Sequence, residues 1–280
     1  MPATYAHYKF GQEVRKDLPE KENKIVEEFP ELFMIGLHGP DIFFYYKPFS
    51  KNKVRQIGHE MHKRAGKEFF ASAAEVARAH RGNHAYLAYL YGFICHFALD
   101  VACHGYVDEK IAKSGISHTE IEAEFDRMLM EKDGHDPIRY KPTGHIVPSM
   151  DNAVIIQTFF EEANSAQILG TLKGMVSYLN FLVAPSKGKR FLIDTVLRLT
   201  GNYKELHGLM INYMANIKCE DSTKELFDRY GQAKTIAVSL IHEYSGFLEG
   251  KEGLDPIYHY TFGSRKVEEE EAKNEFKADQ

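Results

Sequence analysis

An all-α fold is the class the sequence predicts, and three observations point to it. Apolar residues recur mostly three and four positions apart, the spacing of a single helix face. Strict apolar–polar alternation, the mark of a half-buried strand, is scarce. The stretch Ser117-His118-Thr119-Glu120 has the form of a capping box, with Ser117 as N-cap and Glu120 as third helical residue, and so starts a helix.

In chain order, this spacing predicts helices over Lys9 to Glu20, extendable to Phe29, then Lys53 to Arg78, Asn83 to Val107 and Ser117 to Lys132. Between the first two, Gly39-Pro40 forces a turn and presents Asp41 at the head of the aromatic run Phe43 to Tyr46. Residues Asp133 to Ser149, rich in Pro and Gly, read as a linker or long loop. Further helices are predicted over Met150 to Ala163, Thr171 to Leu182, Phe191 to Thr200 and Ser222 to Leu248. The chain thus divides into a helical core (1–135) with every cluster of chemistry-bearing side chains, C-terminal helices (150–263) that complete or cap it, and a charged, mobile tail (264–280).

Composition bounds the function. With 280 residues and 44% hydrophobic residues the chain can bury a large core. Its net charge of −5 is mild, and no basic stripe tracks a nucleic-acid backbone, which weighs against a processive nuclease. The first sixteen residues hold no apolar signal core, and no run approaches the roughly 18 continuous apolar residues of a spanning helix. A cytoplasmic protein is expected, and the three cysteines, Cys95, Cys103 and Cys219, fit a reducing compartment. Neither G-x-G-x-x-G nor G-x-x-x-x-G-K-[ST] occurs.

The chemistry lies in His96, Asp100 and His104, four residues apart on one helix face, followed by His118 and Glu122 at the same spacing on the next helix. The segment Ala85 to Val107 is otherwise almost wholly apolar, so Asp100 would be buried. Burying an unpaired carboxylate is very costly, and metal coordination relieves that cost. At about 1.5 Å rise per residue, the outer Cα atoms of the column stand roughly 12 Å apart. That span suits two neighbouring ions with Asp100 between them.

The order of His, Asp, His and a separate HxxxE resembles the zinc-dependent phospholipase C family, which is related to single-strand-specific zinc nucleases. The resemblance implies a multi-helix bundle with additional C-terminal helices, holding up to three zinc ions. It also implies further ligands: the amine of Pro2 after removal of Met1, His7, Asp41, and one of His59 and His62, of which His62 better matches the family's Met-His pairing. The family's mature terminus is a Trp, and this chain has none. The implied sorting places Asp41, His62, His96 and Asp100 on one ion, His104, His118 and Glu122 on a second, and Pro2, His7 and a shared Asp100 on a third. Nitrogen and carboxylate donors without thiolate favour zinc, with manganese and iron left open.

Nine groups over three ions leave coordination positions open, as catalytic sites do. Two ions about 3.5–4 Å apart activate water and neutralise a phosphodiester under attack. Together with the resemblance, this makes the expected function a zinc-dependent phosphodiester hydrolase of phospholipase C type, acting on a phospholipid headgroup or a soluble analogue, and the resemblance implies Asp41 as general base or water-orienting carboxylate. The alternatives are a zinc-dependent nuclease or nucleotidase, and a non-catalytic, metal-stabilised binding protein. Phe43, Phe44, Tyr45 and Tyr46 are either core residues or substrate contacts.

Overall fold

The computed structural model describes residues 4–199, 201, 203 and 207–267. Pro2 and the tail from residue 268 onward lie outside the described residues. The fold is all-α, and the only β pairing among the described residues is two isolated bridges, Ala65 with Thr261 and Tyr260 with Lys266. The helices are α1 (Thr4–Asp17), α2 (Glu20–Glu28), α3 (Pro30–Gly36), α4 (Lys53–Met61), α5 (Gly66–Ala79), α6 (Ala85–Ser114), α7 (His118–Lys132), α8 (Met150–Gln157), α9 (Ser165–Leu182), α10 (Lys187–Leu199) and α11 (Glu220–Leu248). A 3-10 turn over Gly39–Tyr45 follows α3.

Helix α6 is the axis. It packs most extensively against α3 and α11, and every residue from Tyr89 to Asp100 is buried. An 18-residue window of α6 is long and apolar enough to cross a membrane by composition, yet 78% of it is buried inside the fold. Two glycines set the distance to α3. A Cβ on Gly36 would lie 2.2 Å from the Tyr89 carbonyl oxygen, and one on Gly92 would lie 2.1 Å from that of Phe33. The two backbones therefore touch, which brings the turn after α3, with Asp41 on it, against the middle of α6.

Several boundaries differ from the sequence expectation. The first helix begins at Thr4, where Asp126 on α7 accepts the backbone N–H groups of Tyr5 and Ala6 at 3.0 and 2.8 Å, a helix N-cap supplied from another helix. The span from Lys53 to Arg78 is two helices, not one. His62 ends α4, and the chain restarts at Gly66, whose N–H donates to Tyr260 while Ala65 bridges Thr261. A Cβ at Gly66 would meet the Phe97 ring at 2.6 Å, so close packing against α6 sets the break. Helix α6 runs past Val107 to Ser114 and stops at Gly115, in the left-handed region with φ +68°, the usual glycine terminator.

Ser117 caps α7 by accepting from the Glu120 N–H, but the Glu120 carboxylate accepts from Asn216 instead of closing the box. A complete capping box starts α9, between Asn164 and Gln167, so that helix begins six residues ahead of the expected Thr171. The tail expected from residue 264 is docked at its start: the Ser264 hydroxyl donates to the carbonyls of Asp100 and Val101 at 3.1 and 2.7 Å. A small apolar cluster of Ala184, Ile193, Leu197 and Met210 lies under α10, apart from the main core.

Because α3 and α6 meet through bare backbone, Gly92→Ala should destabilise the fold by about 1–3 kcal/mol, the range for overpacking a close contact. A melting temperature equal to the parent's would show that the helices can separate without loss.

Candidate metal centre

Helix α6 contributes His96, Asp100 and His104, with side chains 0–8% exposed. His7 comes from α1, Asp41 from the 3-10 turn, His62 from the last turn of α4, and His118 and Glu122 from α7. Three groups form, in each of which one ligand atom per residue lies within 4.8 Å of the others: His7, His96 and Asp100; Asp41, His62 and His96; and His104, His118 and Glu122. Asp100 joins them. Its Oδ1 lies 3.2 Å from His7 Nε2, and its Oδ2 lies 3.2 Å from His96 Nε2, 3.5 Å from His104 Nδ1 and 4.0 Å from His62 Nε2. Asp41 Oδ1 lies 3.2 Å from His62 Nε2, and Glu122 Oε1 lies 2.9 Å from His118 Nε2 and 3.6 Å from His104 Nε2.

The backbone determines which ring nitrogen faces this centre. Nδ1 of His62, His96 and His104 sits 2.7, 3.3 and 2.9 Å from the carbonyl oxygens of Gly58, Leu37 and Phe262. A carbonyl only accepts, so each Nδ1 carries the proton, and in the neutral ring Nε2 presents a lone pair to the centre. Such outer hydrogen bonds are the usual means of orienting a metal-bound histidine. Nε2 of His62, His96 and His118 and Oδ2 of Asp100 are buried without a hydrogen-bond partner. Lone pairs of imidazole and carboxylate facing one another at 3–4 Å repel unless a cation lies between them. The donor set and the orphaned atoms therefore fit divalent metal.

Electrostatics agree. Burial pushes the Asp100 carboxyl up, but His104 and His96 beside it outweigh this and hold it well below the usual carboxylate range; Asp41 also lies below that range, with His62 and His96 among the groups that oppose its burial. Burial likewise opposes ionisation of Glu122, yet His118 and His104 bring it to about 2. His7 and His104 are held neutral, chiefly by burial. His62 is the exception, where burial is overcome by the adjoining Asp41 carboxylate, which raises its pKa. Three ionised carboxylates thus sit in a buried pocket with few compensating positive charges.

Of the two histidines near the end of α4, His62 joins the cluster; His59 packs edge-on against Phe44 and lines a neighbouring groove. The aromatic run divides: Phe43 is fully buried, and Phe44 borders the cavity at the cluster. Buried His38 and half-buried His145 pair, Nε2 to Nε2 at 2.7 Å, with His145 stacked on Tyr8. Nothing in the spacing of His145 singles it out, since its partner lies 107 residues away. Gly39, at φ +47°, is required by the site itself, because a Cβ there would fall 2.2 Å from the His96 ring.

Fold and site together define an all-helical protein built around a buried histidine–carboxylate cluster of metal-binding composition. A family model described as zinc dependent phospholipase C matches residues 6–168, more than half of the chain, and the chain belongs to that family. Comparison with curated proteins and with solved structures gives no match. The matched span includes all eight clustered residues and ends inside α9.

Two outcomes follow from this geometry. Gly39→Ala should displace the His96 ring and weaken zinc retention about 10–100-fold, as loss of an orienting contact does; zinc retention equal to the parent's in a chelator titration would refute the constraint. Burial lowers His145 from 6.5 to about 4. The unfolded chain therefore takes up a proton there that the folded chain refuses, and this contribution to stability is complete above pH 6.5 and lost as pH falls through about 4. His145→Gln should flatten the fall of melting temperature between pH 6.5 and 4; an unchanged slope would show that His145 is not buried as a neutral ring.

Proposed function

We propose that the chain is a zinc-dependent phosphodiester hydrolase of phospholipase C type, acting on a phospholipid headgroup or a soluble analogue. Family membership supports zinc-dependent hydrolase chemistry at that level. The observation that carries the reading is the convergence of buried, partnerless imidazole nitrogens on ionised carboxylates in three adjoining groups. In this proposal Asp41, His62, His96 and Asp100 hold one ion, and His104, His118 and Glu122 a second. His7 and the shared Asp100 hold a third, with the Pro2 amine as the sequence-based member. Bound zinc supplies Lewis acidity, stabilising negative charge on a phosphoryl group and lowering the pKa of water.

The chain's own groups do the rest. Asp41, kept ionised beside His62, is placed to accept a proton from attacking water. The carbonyls of Leu37, Gly58 and Phe262 hold three rings in one tautomer, so no reorientation precedes reaction. A cavity of about 280 Å³, bordered by Phe44, His62, His104, Asp108, His118, Thr119 and Gly263, opens onto the cluster and can admit a phosphodiester. Phe44 and Thr119 also border a second space of about 650 Å³. Its walls include Phe49, Tyr178, Phe181, Ile193 and Leu197, an apolar lining that favours a lipid chain over a base-stacking platform.

The test combines metal analysis with turnover of a chromogenic phosphodiester on the same sample. About three zinc ions per chain, with turnover abolished by chelation and restored by zinc, are expected. Asp41→Asn should lower turnover at least about 100-fold, as loss of a general base does. Zinc-loaded protein without turnover on lipid or soluble phosphodiesters would leave the cluster as a structural element and overturn the proposal.

A further inference from the structure

Helix α10 carries an inverted pattern. A surface helix ordinarily turns its apolar stripe to the core and its polar face to water. In α10, Ile193 and Leu197 do bury against the small cluster, but Phe191, Leu192, Val196 and Leu199 are 74, 58, 46 and 83% exposed. Leu192, Val196 and Leu199 lie four and three residues apart and make a second, outward apolar face, with Phe191 exposed at its side. Phe49 and Phe181, 67 and 52% exposed, border the same groove as Val196, so the outward face of α10 continues into the groove's rim. Exposed apolar patches of this kind mark interaction sites.

Charge identifies the partner. Residues 45–55 and 181–199, brought together at this groove, hold eight lysines and arginines against the single Asp194, in a chain whose net charge is −5. Lys51 and Arg55 line the groove itself, and Lys47, Lys53, Lys187 and Arg198 are exposed on the same two segments. Exposed Phe and Leu side chains on segments rich in cations are the pattern of a helix lying in the headgroup region of an anionic bilayer. We propose that α10, with Phe49 and Phe181, docks the protein on an anionic lipid surface and sets the groove mouth against it. This deepens the phospholipid reading of the metal site and rests on that reading for its purpose. The groove leads from the docked face to Phe44 and Thr119, which it shares with the cavity at the cluster, so a lipid could reach the centre without leaving the interface.

Co-sedimentation of the full chain with phosphatidylglycerol and phosphatidylcholine vesicles tests this. Binding should be at least tenfold tighter to the anionic vesicles and should fall with salt. The double variant Phe191→Ser with Leu199→Ser removes side chains already in solvent and outside the groove wall. It should lose vesicle binding at least tenfold while hydrolysing a soluble phosphodiester at the parent rate. Lys47→Glu with Lys187→Glu should lose the anionic preference. Asp41→Asn, folded by its melting curve, should bind vesicles as the parent does, so a failure of docking and a failure of the hydrolase reading are read separately. Equal binding to both vesicles, undiminished binding by the double variant, or a parent dimer that the double variant turns into monomer by light scattering would each overturn the proposal.

Discussion

The structure depends on keeping the Asp100 carboxylate ionised in the middle of its long, buried central helix. A lone carboxylate there would cost several kcal/mol in lost solvation, and mutual attraction offsets such a cost only when geometry is good and the remaining lone pairs are met. The chain meets that demand by bringing other segments to α6. His7 arrives on α1, whose first turn is held by Asp126. Asp41 and His62 arrive through the glycine contact of α3 with α6 and the break between α4 and α5. Residues 260–266 return from the far end of the chain to bind His104 and the carbonyls beside Asp100. Helix packing and the centre are therefore one construction, in which tight backbone approach places the charges that keep Asp100 ionised.

Much of the fold was legible because helical periodicity is local. Helices α6 and α7 announce themselves by apolar spacing and a Ser N-cap, and the Pro- and Gly-rich stretch after α7 is non-helical up to Ser149. What could not be read was set by contacts distant in sequence. The break at residues 62–65 follows from Ala65 and Gly66 meeting Thr261, Tyr260 and Phe97, and no local residue signals it. The last turns of α6 carry Asp108, Glu109, Lys110 and Lys113, which hide the helix from a reading that follows apolar runs.

The candidate site shows the same division. Residues four apart on α6 and α7 must share a face, so His96, Asp100, His104, His118 and Glu122 could be grouped from spacing alone. His7, Asp41 and His62 needed a resemblance to be picked out, since each stands alone in its own element. The carbonyls of Leu37, Gly58 and Phe262 were out of reach, because a backbone oxygen has no residue-type signature. Gly39 looked like turn chemistry, and only the packed His96 ring shows why a side chain is excluded there.

A second boundary separates metal chemistry from what surrounds it. The family match ends inside α9, while Tyr178, Phe181 and the α10 side chains that wall the large groove lie beyond it. Spacing along the chain shows no basic stripe, and in one dimension that is correct. The cations fall in two short segments distant in sequence, diluted by an acidic background, and only the fold brings those segments to one groove. A charge pattern of this kind is invisible to composition and to periodicity alike. On the proposed reading, the core ending in α9 supplies a reaction common to the family, and the later helices, which contribute no member of the three groups among the described residues, decide what surface the centre is presented to.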